Sequence, residues 1–301
     1  MYTFKSFIAA SLLLMASSVW GYQNERANFT IEVNGEINPY NVFSVFVMPG
    51  KEFKVSSVQN ITMKSQHLTI NGLSIKSPSN PGIYPVQVIH ESGEEMLLNV
   101  MVLTPIAEKK GEYLNGYRIG NYPTKPLRDN PIYNRPTGLF EVTKENENTK
   151  LTPHFTLKQF LCKQAGDYPK YVIIRERLLL KLEYLLEKTN RSGYAIETFG
   201  FISGYRTPFY NKSIKNVQYS RHVYGGAADI FIDQDKNGAM DDLNKDGVID
   251  EKDVRIFYQI VDNEYDKKDY HKFRGGLGFY KRNKVHHGFI HVDVRGSKAR
   301  W

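Results

Sequence analysis

Cysteine is nearly absent from the chain: Cys162 stands alone in 301 residues. A single cysteine excludes an internal disulfide framework. It falls in Phe160-Leu161-Cys162, a stretch expected on a helix face, and reads as a small buried hydrophobe rather than a nucleophile. Long apolar runs are lacking too. The run Phe7 to Ala16 is too short to cross a bilayer, so no stable membrane insertion is expected once a leader is removed. Acidic residues are in deficit, with 40 Lys and Arg against 32 Asp and Glu and a net charge of +8. No nucleic-acid motif accompanies that charge, so no nucleic-acid partner is expected, and the charge equally suits work beside anionic cell-wall polymers. Gly275-Gly276-Leu277-Gly278 lacks the G-x-G-x-x-G spacing of a dinucleotide fingerprint and reads as the wall of a cleft.

What is present falls into four stretches. Lys5, the apolar run Phe7 to Ala16 and the small residues up to Gly21 form a signal-peptide pattern over residues 1–21, which predicts export. No cysteine follows the apolar run, so a lipid-anchored form is not expected. Residues 22–105 hold short alternating segments, among them Phe29 to Val33, Val42 to Val47, Tyr84 to Ile89 and Met96 to Val102. Asn34-Gly35, Pro49-Gly50, Asn71-Gly72 and Pro81-Gly82 punctuate them, which predicts an all-β, antiparallel, Ig-like sandwich without catalytic residues. Residues 106–150, with Asn121-Tyr122-Pro123-Thr124-Lys125-Pro126 and few apolar runs, read as a linker. From residue 151 the pattern turns helical. Tyr171 to Thr189 carries Ile174, Leu178, Leu182, Leu185 and Leu186 near a 3.6 period and stops at Asn190 to Gly193. Ala195 to Ile202 then reads as a strand, so the fold class expected for 151–301 is α+β.

Chemistry concentrates in residues 203–229 and in one later segment. His222 and Asp229 are seven positions apart with Gly225-Gly226 between them. The spacing suggests a ligand on a loop, a tight glycine turn, and a ligand at the start of the strand Ala228 to Ile232. His291 lies in a second alternating segment, Gly288 to Val294. Imidazole and carboxylate suit zinc, and three protein ligands leave a fourth position open, as in catalytic sites.

Ser203-Gly204-Tyr205-Arg206-Thr207-Pro208, then Ser-x-His-x-x-Gly-x-Ala-x-Asp over Ser220 to Asp229, then His291-Val292-Asp293, resemble the zinc D-alanyl-D-alanine carboxypeptidase family, which shares the hedgehog-type metallopeptidase fold. The resemblance covers roughly residues 150–301. Gly275 to Tyr280 and Arg295 to Trp301 resemble one periplasmic subgroup. The resemblance implies that His222, Asp229 and His291 bind Zn²⁺. It also implies that Arg206 holds the substrate or its oxyanion, that Ser220 contacts substrate, and that peptidoglycan peptides are the partners. Members of the family often carry Asp or Glu three residues before the last ligand, where this chain has Gly288. His286 and His287 are the substitutes at hand. In an extended segment His287 shares the face of His291, so His287 is favoured as general base, with His286 the alternative. Asp293 is expected to orient a ligand.

A second metal signal lies at 233–253, between Asp229 and His291. Asp242, Asn244, Asp246, Val248, Asp250 and Asp253 occupy positions 1, 3, 5, 7, 9 and 12 of a Ca²⁺ loop with Gly247 at position 6. Position 12 is Asp rather than Glu, a shorter reach. Asp233, Asp235, Asn237 and Asp241 begin an overlapping copy. The second loop is expected to be the stronger and to act as a structural clip. These readings predict an exported zinc peptidase, a D,D-carboxypeptidase or endopeptidase acting on cell-wall peptides. The alternatives are a non-catalytic wall- or protein-binding module that keeps a structural metal, and a calcium-dependent adhesion protein.

Overall fold

Alternating apolar residues build the first third of the described chain. The computed structural model describes residues 22–301, and the expected signal peptide lies outside the described residues. Nine strands come first: β1 (Arg26–Val33), β2 (Glu36–Tyr40), β3 (Val42–Val47), β4 (Glu52–Ser56), β5 (Ile61–Lys64), β6 (Thr69–Asn71), β7 (Ser74–Lys76), β8 (Gly82–His90) and β9 (Glu95–Val102). They form two sheets, ordered β2-β1-β4-β7-β6 and β3-β9-β8-β5. Each strand sends alternate side chains to opposite faces, and Phe29, Ile31, Val45, Val55, Val86, Val88, Leu98 and Val100 are all buried. One pairing departs from the antiparallel expectation. β3 runs parallel to β9, from Val42 opposite Leu97 to Val47 opposite Val102. Parallel neighbours need a long crossover, and β4 to β8 supply it.

The stretch expected as a linker is part of the core. β10 (Thr104–Pro105) stands just before it, and the stretch itself holds the hairpin β11 (Tyr113–Leu114) and β12 (Tyr117–Arg118), and β13 (Gly138–Val142). β13 joins β10 to β16 (Lys170–Val172) in one sheet, and Leu114, Ile119, Leu139 and Phe140 are buried. Its prolines lie in turns around 121–136, where the chain does run over the surface.

β14 (Lys150–Thr152) and β15 (Phe155–Thr156) lead into a single turn, α1 (Leu157–Phe160). The Thr156 N–H donates to Gln159 Oε1 at 2.8 Å, the return arm of a capping box. Cys162 is buried just past this turn rather than on it. The long helix α2 (Glu176–Arg191) begins later than its periodicity suggests, because Tyr171 and Val172 are spent on β16. It docks the first two sheets: Glu176 accepts the Phe46 N–H at 3.1 Å, Arg177 pairs with Glu36 at 2.7 Å, and Arg26 pairs with Glu187 at 2.7 Å. Then come β17 (Gly200–Ser203), α3 (Pro208–Ser213), β18 (Ala227–Phe231), α4 (Glu251–Asp262), β19 (Gly276–Tyr280), β20 (Phe289–Asp293) and β21 (Ala299–Arg300). The strand expected from Ala195 shrinks to β17. The last sheet is ordered β17-β18-β20-β19-β21, with α4 against β19 and β20. The protein is mixed α/β and mostly sheet, with 33% of residues in strands and 20% in helices.

Candidate metal centre

The last sheet aligns the site by register. Ser203 lies opposite Asp229, Asp229 opposite His291, and His291 opposite Gly278. Directly opposed residues share a face with Cβ atoms about 5 Å apart, so one row across four strands carries a hydroxyl, a carboxylate, an imidazole and a gap. A Cβ on Gly278 would press into the indole of Trp301, which lies over that gap and beside His291, with ring centroids 5.2 Å apart. His222 reaches the row from a 3₁₀ turn, Arg221–Tyr224, that ends at Gly225 with φ +64°. That is the left-handed conformation glycine takes without a Cβ penalty. The turn brings His222 back above Asp229.

The three expected ligands meet. His222 Nε2 is 3.1 Å from Asp229 Oδ1 and 3.1 Å from His291 Nδ1, and His291 Nδ1 is 2.8 Å from Asp229 Oδ1. All three residues are buried. Their outer partners set the tautomers. His222 Nδ1 is 2.7 Å from the Gly204 carbonyl, which only accepts, so the hydrogen is on Nδ1 and Nε2 keeps its lone pair. His291 Nε2 is 3.2 Å from Asp293 Oδ2, so the neutral ring keeps its lone pair on Nδ1. Two imidazole lone pairs and a carboxylate oxygen thus face one another with no hydrogen between them. Such a cluster could hold a metal ion at its centre, and the donor set and buried setting suit zinc.

The surroundings keep the carboxylates charged. Burial alone would raise the Asp229 carboxyl, but with no cation at the centre protons on His222 and His291 take its place, and their charges and hydrogen bonds hold the carboxyl far below the usual range. Asp293 is treated the same way: burial is overcome by His291 and Arg295, whose Nη2 is 2.5 Å from Asp293 Oδ2. Burial pushes His222 below the ordinary imidazole value, with the Arg206 charge adding to it against the pull of Asp229. His291 moves up despite burial, because Asp229 and Asp293 both favour its protonated form.

Arg206 is buried beside the cluster. Its Nη2 donates to Asp229 Oδ2 at 2.5 Å and its Nε to Ser203 Oγ at 2.8 Å. Among the described residues Nη1 makes no hydrogen bond, and Arg206 lines a cavity of about 810 Å³ together with Ser220, His222, Asp229 and His291. His286 lines it as well, whereas His287 does not. The preference for His287 rested on an extended backbone through residue 287, but β20 starts at Phe289. His287 instead packs its ring edge-on against Phe231 at 4.2 Å. His286 Nδ1 donates to the His287 carbonyl at 2.8 Å, which leaves the lone pair on Nε2, 2.8 Å from Asn283 Nδ2. Gly288 is closed to any side chain, since a Cβ there would overlap the Val254 methyl of α4.

The acidic turns between β18 and α4 repeat one hydrogen-bond frame. Asp233 accepts N–H bonds from Asn237 and Gly238, and Asp242 accepts them from Asp246 and Gly247. Asp235 and Asn244 accept from the residues two positions on, as do Asn237 and Asp246. Only the first turn gathers carboxylates: Asp233, Asp235 and Asp241 offer oxygens within 4.8 Å of one another. In the second, Asp253 is fully buried and its two oxygens accept the N–H groups of Leu243, Asn244 and Asp250 at 2.8–3.2 Å. Asp250 caps α4 through the Lys252 N–H at 2.7 Å. The twelfth position of the second turn is therefore spent on the helix start.

Three contributors escaped the sequence reading. Lys181 on α2 is fully buried and donates to the Asp293 carbonyl at 2.7 Å. Its position among Leu178, Leu182 and Leu185, on the apolar stripe, was the available signal. Trp301 and Tyr280 line the cavity, linked by a 2.8 Å hydrogen bond from Trp301 Nε1 to Tyr280 Oη. Both close the stretches Gly275–Tyr280 and Arg295–Trp301 that carry the subgroup resemblance, which assigns neither of them to the site. Comparison of the sequence with family models and with curated proteins finds no match.

Proposed function

We propose that the protein is an exported zinc peptidase that hydrolyses peptide bonds of peptidoglycan stem peptides or crosslinks, working in the periplasm. In this reading residues 151–301 form a hedgehog-type metallopeptidase domain and residues 22–105 a preceding sandwich. The observation that carries it is the convergence of the His222, Asp229 and His291 lone pairs in a cavity also lined by Arg206 and His286. His222, Asp229 and His291 would hold the zinc, which would supply Lewis acidity at the scissile bond and lower the pKa of water there.

The chain's own groups do the rest. Gly204 O and Asp293 hold the two imidazoles in the tautomers that keep their lone pairs inward. Arg206 fixes Asp229 and retains Nη1 for a developing oxyanion. His286 Nε2 accepts a proton once Asn283 yields, and its Nδ1–H stays on the His287 carbonyl. Calcium in the turns at 233–253 would brace the connection from β18 to α4, and α4 packs on Gly288 through Val254.

Digestion of purified crosslinked peptidoglycan by the zinc-loaded protein, read by liquid chromatography and mass spectrometry, tests the reading. Loss of a terminal D-alanine identifies a carboxypeptidase and loss of crosslinked dimers an endopeptidase, and either must vanish in His222→Ala. Unchanged muropeptides from folded, zinc-loaded protein refute it. One observation favours a second reading, a non-catalytic binding module with a structural metal: the place of the family's acidic base is filled by Val254. Retained peptidoglycan binding without turnover selects that module.

A further inference from the structure

Two further cavities adjoin the metal cavity, one after the other. The second, of about 780 Å³, shares Asn216 and Gln218 with the first, and both side chains are exposed. The third, of about 490 Å³, shares Arg118 and Phe209 with the second. Arg118 builds that border. Its guanidinium carbon lies 3.9 Å from the centre of the Phe209 ring and 5.8 Å from that of Tyr113, and Glu112 holds it at 2.7 Å. The metal cavity alone is large enough for one small ligand, since such sites span about 300–1,000 Å³. Three hollows that share edges suit a polymer, of which a single unit reaches His222, Asp229 and His291.

The chemistry of the added linings narrows the polymer. Asn121, Asn216 and Gln218 bring exposed carboxamides to the second cavity. Among the described residues Glu112 is the only carboxylate in that lining, and Arg118 takes it, so Lys212 and Lys215 at the end of α3 have none there. The third cavity is lined by the rings of Tyr113, Tyr117, Tyr168 and Phe209, and Tyr113 is 46% exposed. A sugar ring presents hydroxyl and acetamido groups around its rim and a C–H surface on its face. Carboxamides both donate and accept, which matches the rim. Tyrosine offers an apolar ring face with a polar tip, which matches the C–H surface. An extended polypeptide fits less well. The strands bordering these cavities, β11 and β12, are two residues long, too short an edge for strand addition. We propose that the second and third cavities are saccharide subsites, so that a glycan strand bearing acidic substituents runs from the metal cavity past Gln218 to Tyr113. Which unit of the strand meets the metal rests on the peptidase reading, but saccharide binding does not.

The test is fluorescence anisotropy on the zinc-loaded full chain. The probe is a peptide-free glycan strand from amidase-digested peptidoglycan, labelled at its reducing end; it carries acetamido groups and free lactyl carboxylates. The wild type is expected to bind it. Gln218→Ala and Lys212→Ala remove exposed side chains, and each should weaken binding about fivefold. Tyr113→Ala should weaken it about tenfold. Zinc content and circular dichroism stay at wild-type values, and the two exposed positions decide the matter if the Tyr113 variant does not fold. A wild type that does not bind the strand overturns the proposal, and so do folded variants that all keep full affinity. Displacement of the strand by poly-L-glutamate at equal charge assigns the cavities to an acidic polypeptide and overturns it too. Strand binding without hydrolysis of crosslinked peptidoglycan keeps the subsites and removes the peptidase reading. Hydrolysis without strand binding does the reverse.

Discussion

Two regions of this chain are spaced like metal sites, and they are built in opposite ways. His222, Asp229 and His291 come from a 3₁₀ turn and two neighbouring strands, are buried, and are oriented by groups that belong to no metal: Gly204 O, Asp293 and Arg206. The turns at 233–253 are largely exposed, and their carboxylates accept N–H groups a few residues away. The first arrangement is held in its liganding geometry by the fold. The second is held by the turn itself, and its hydrogen bonds would form with or without an ion. A sequence pattern of ligand types thus has two physical meanings, and only burial with an outer layer of partners makes the ligand atoms converge with no hydrogen between them.

The contrast can be broken at several points. The largest effect is expected from Asp293→Ala, which removes the acceptor that fixes the His291 tautomer. Zinc affinity measured by competition with a chromogenic chelator should fall about 10–100-fold, while an equal loss from Asp242→Ala would erase the distinction between the regions. Gly288→Glu tests whether the acidic base can be restored. The new side chain meets Val254, so the unfolding midpoint should drop, at an overpacking cost of about 1–3 kcal/mol, without a gain in hydrolysis. Faster hydrolysis would show that α4 yields. Removal of calcium with a chelator that spares zinc should lower the unfolding midpoint modestly and leave the zinc content at one per chain. Unchanged stability would strip the turns of any clip role.

The last test concerns Lys181, and it reads stability rather than zinc. Burial lowers its ammonium from an ordinary value of 10.5 to about 7, with the Asp293 charge opposing. A folded-state value below the unfolded one makes charging costly in the native protein. That cost is complete below about pH 7 and absent above about pH 10.5, so the Lys181 contribution to stability rises with pH across that window. Urea titrations of the wild type and Lys181→Met should therefore differ by an amount that shifts toward the wild type from pH 7 upward. A pH-independent difference would mean the ammonium is not desolvated.

How much was legible follows the same division. The His222, Asp229 and His291 constellation was readable because metal chemistry needs particular residue types, and the short apolar run around Asp229 and the alternation around His291 assign both residues to strands. Most strands of residues 22–105 were readable from alternation, but the parallel pairing of Val42–Val47 with Leu97–Val102 was not, since a strand's own pattern does not name its neighbour. The 106–150 stretch looked like a linker because Leu114, Ile119, Leu139 and Phe140 are spread among prolines and polar residues, yet each finds a core position. The choice between His286 and His287 turned on where β20 begins, and Val254 filling the space at Gly288 is a contact between residues far apart in sequence. Lys181, Trp301 and the run of adjoining cavities became visible only once long-range packing was in place.

Metal content tests the central claim most directly. The wild type, His222→Ala and His291→Ala are each dialysed against limiting zinc at neutral pH and measured by plasma mass spectrometry, with circular dichroism confirming the fold. One zinc per wild-type chain, lost from both variants while the fold persists, is the predicted result. A wild type that retains no zinc, or variants that retain it, would contradict the account.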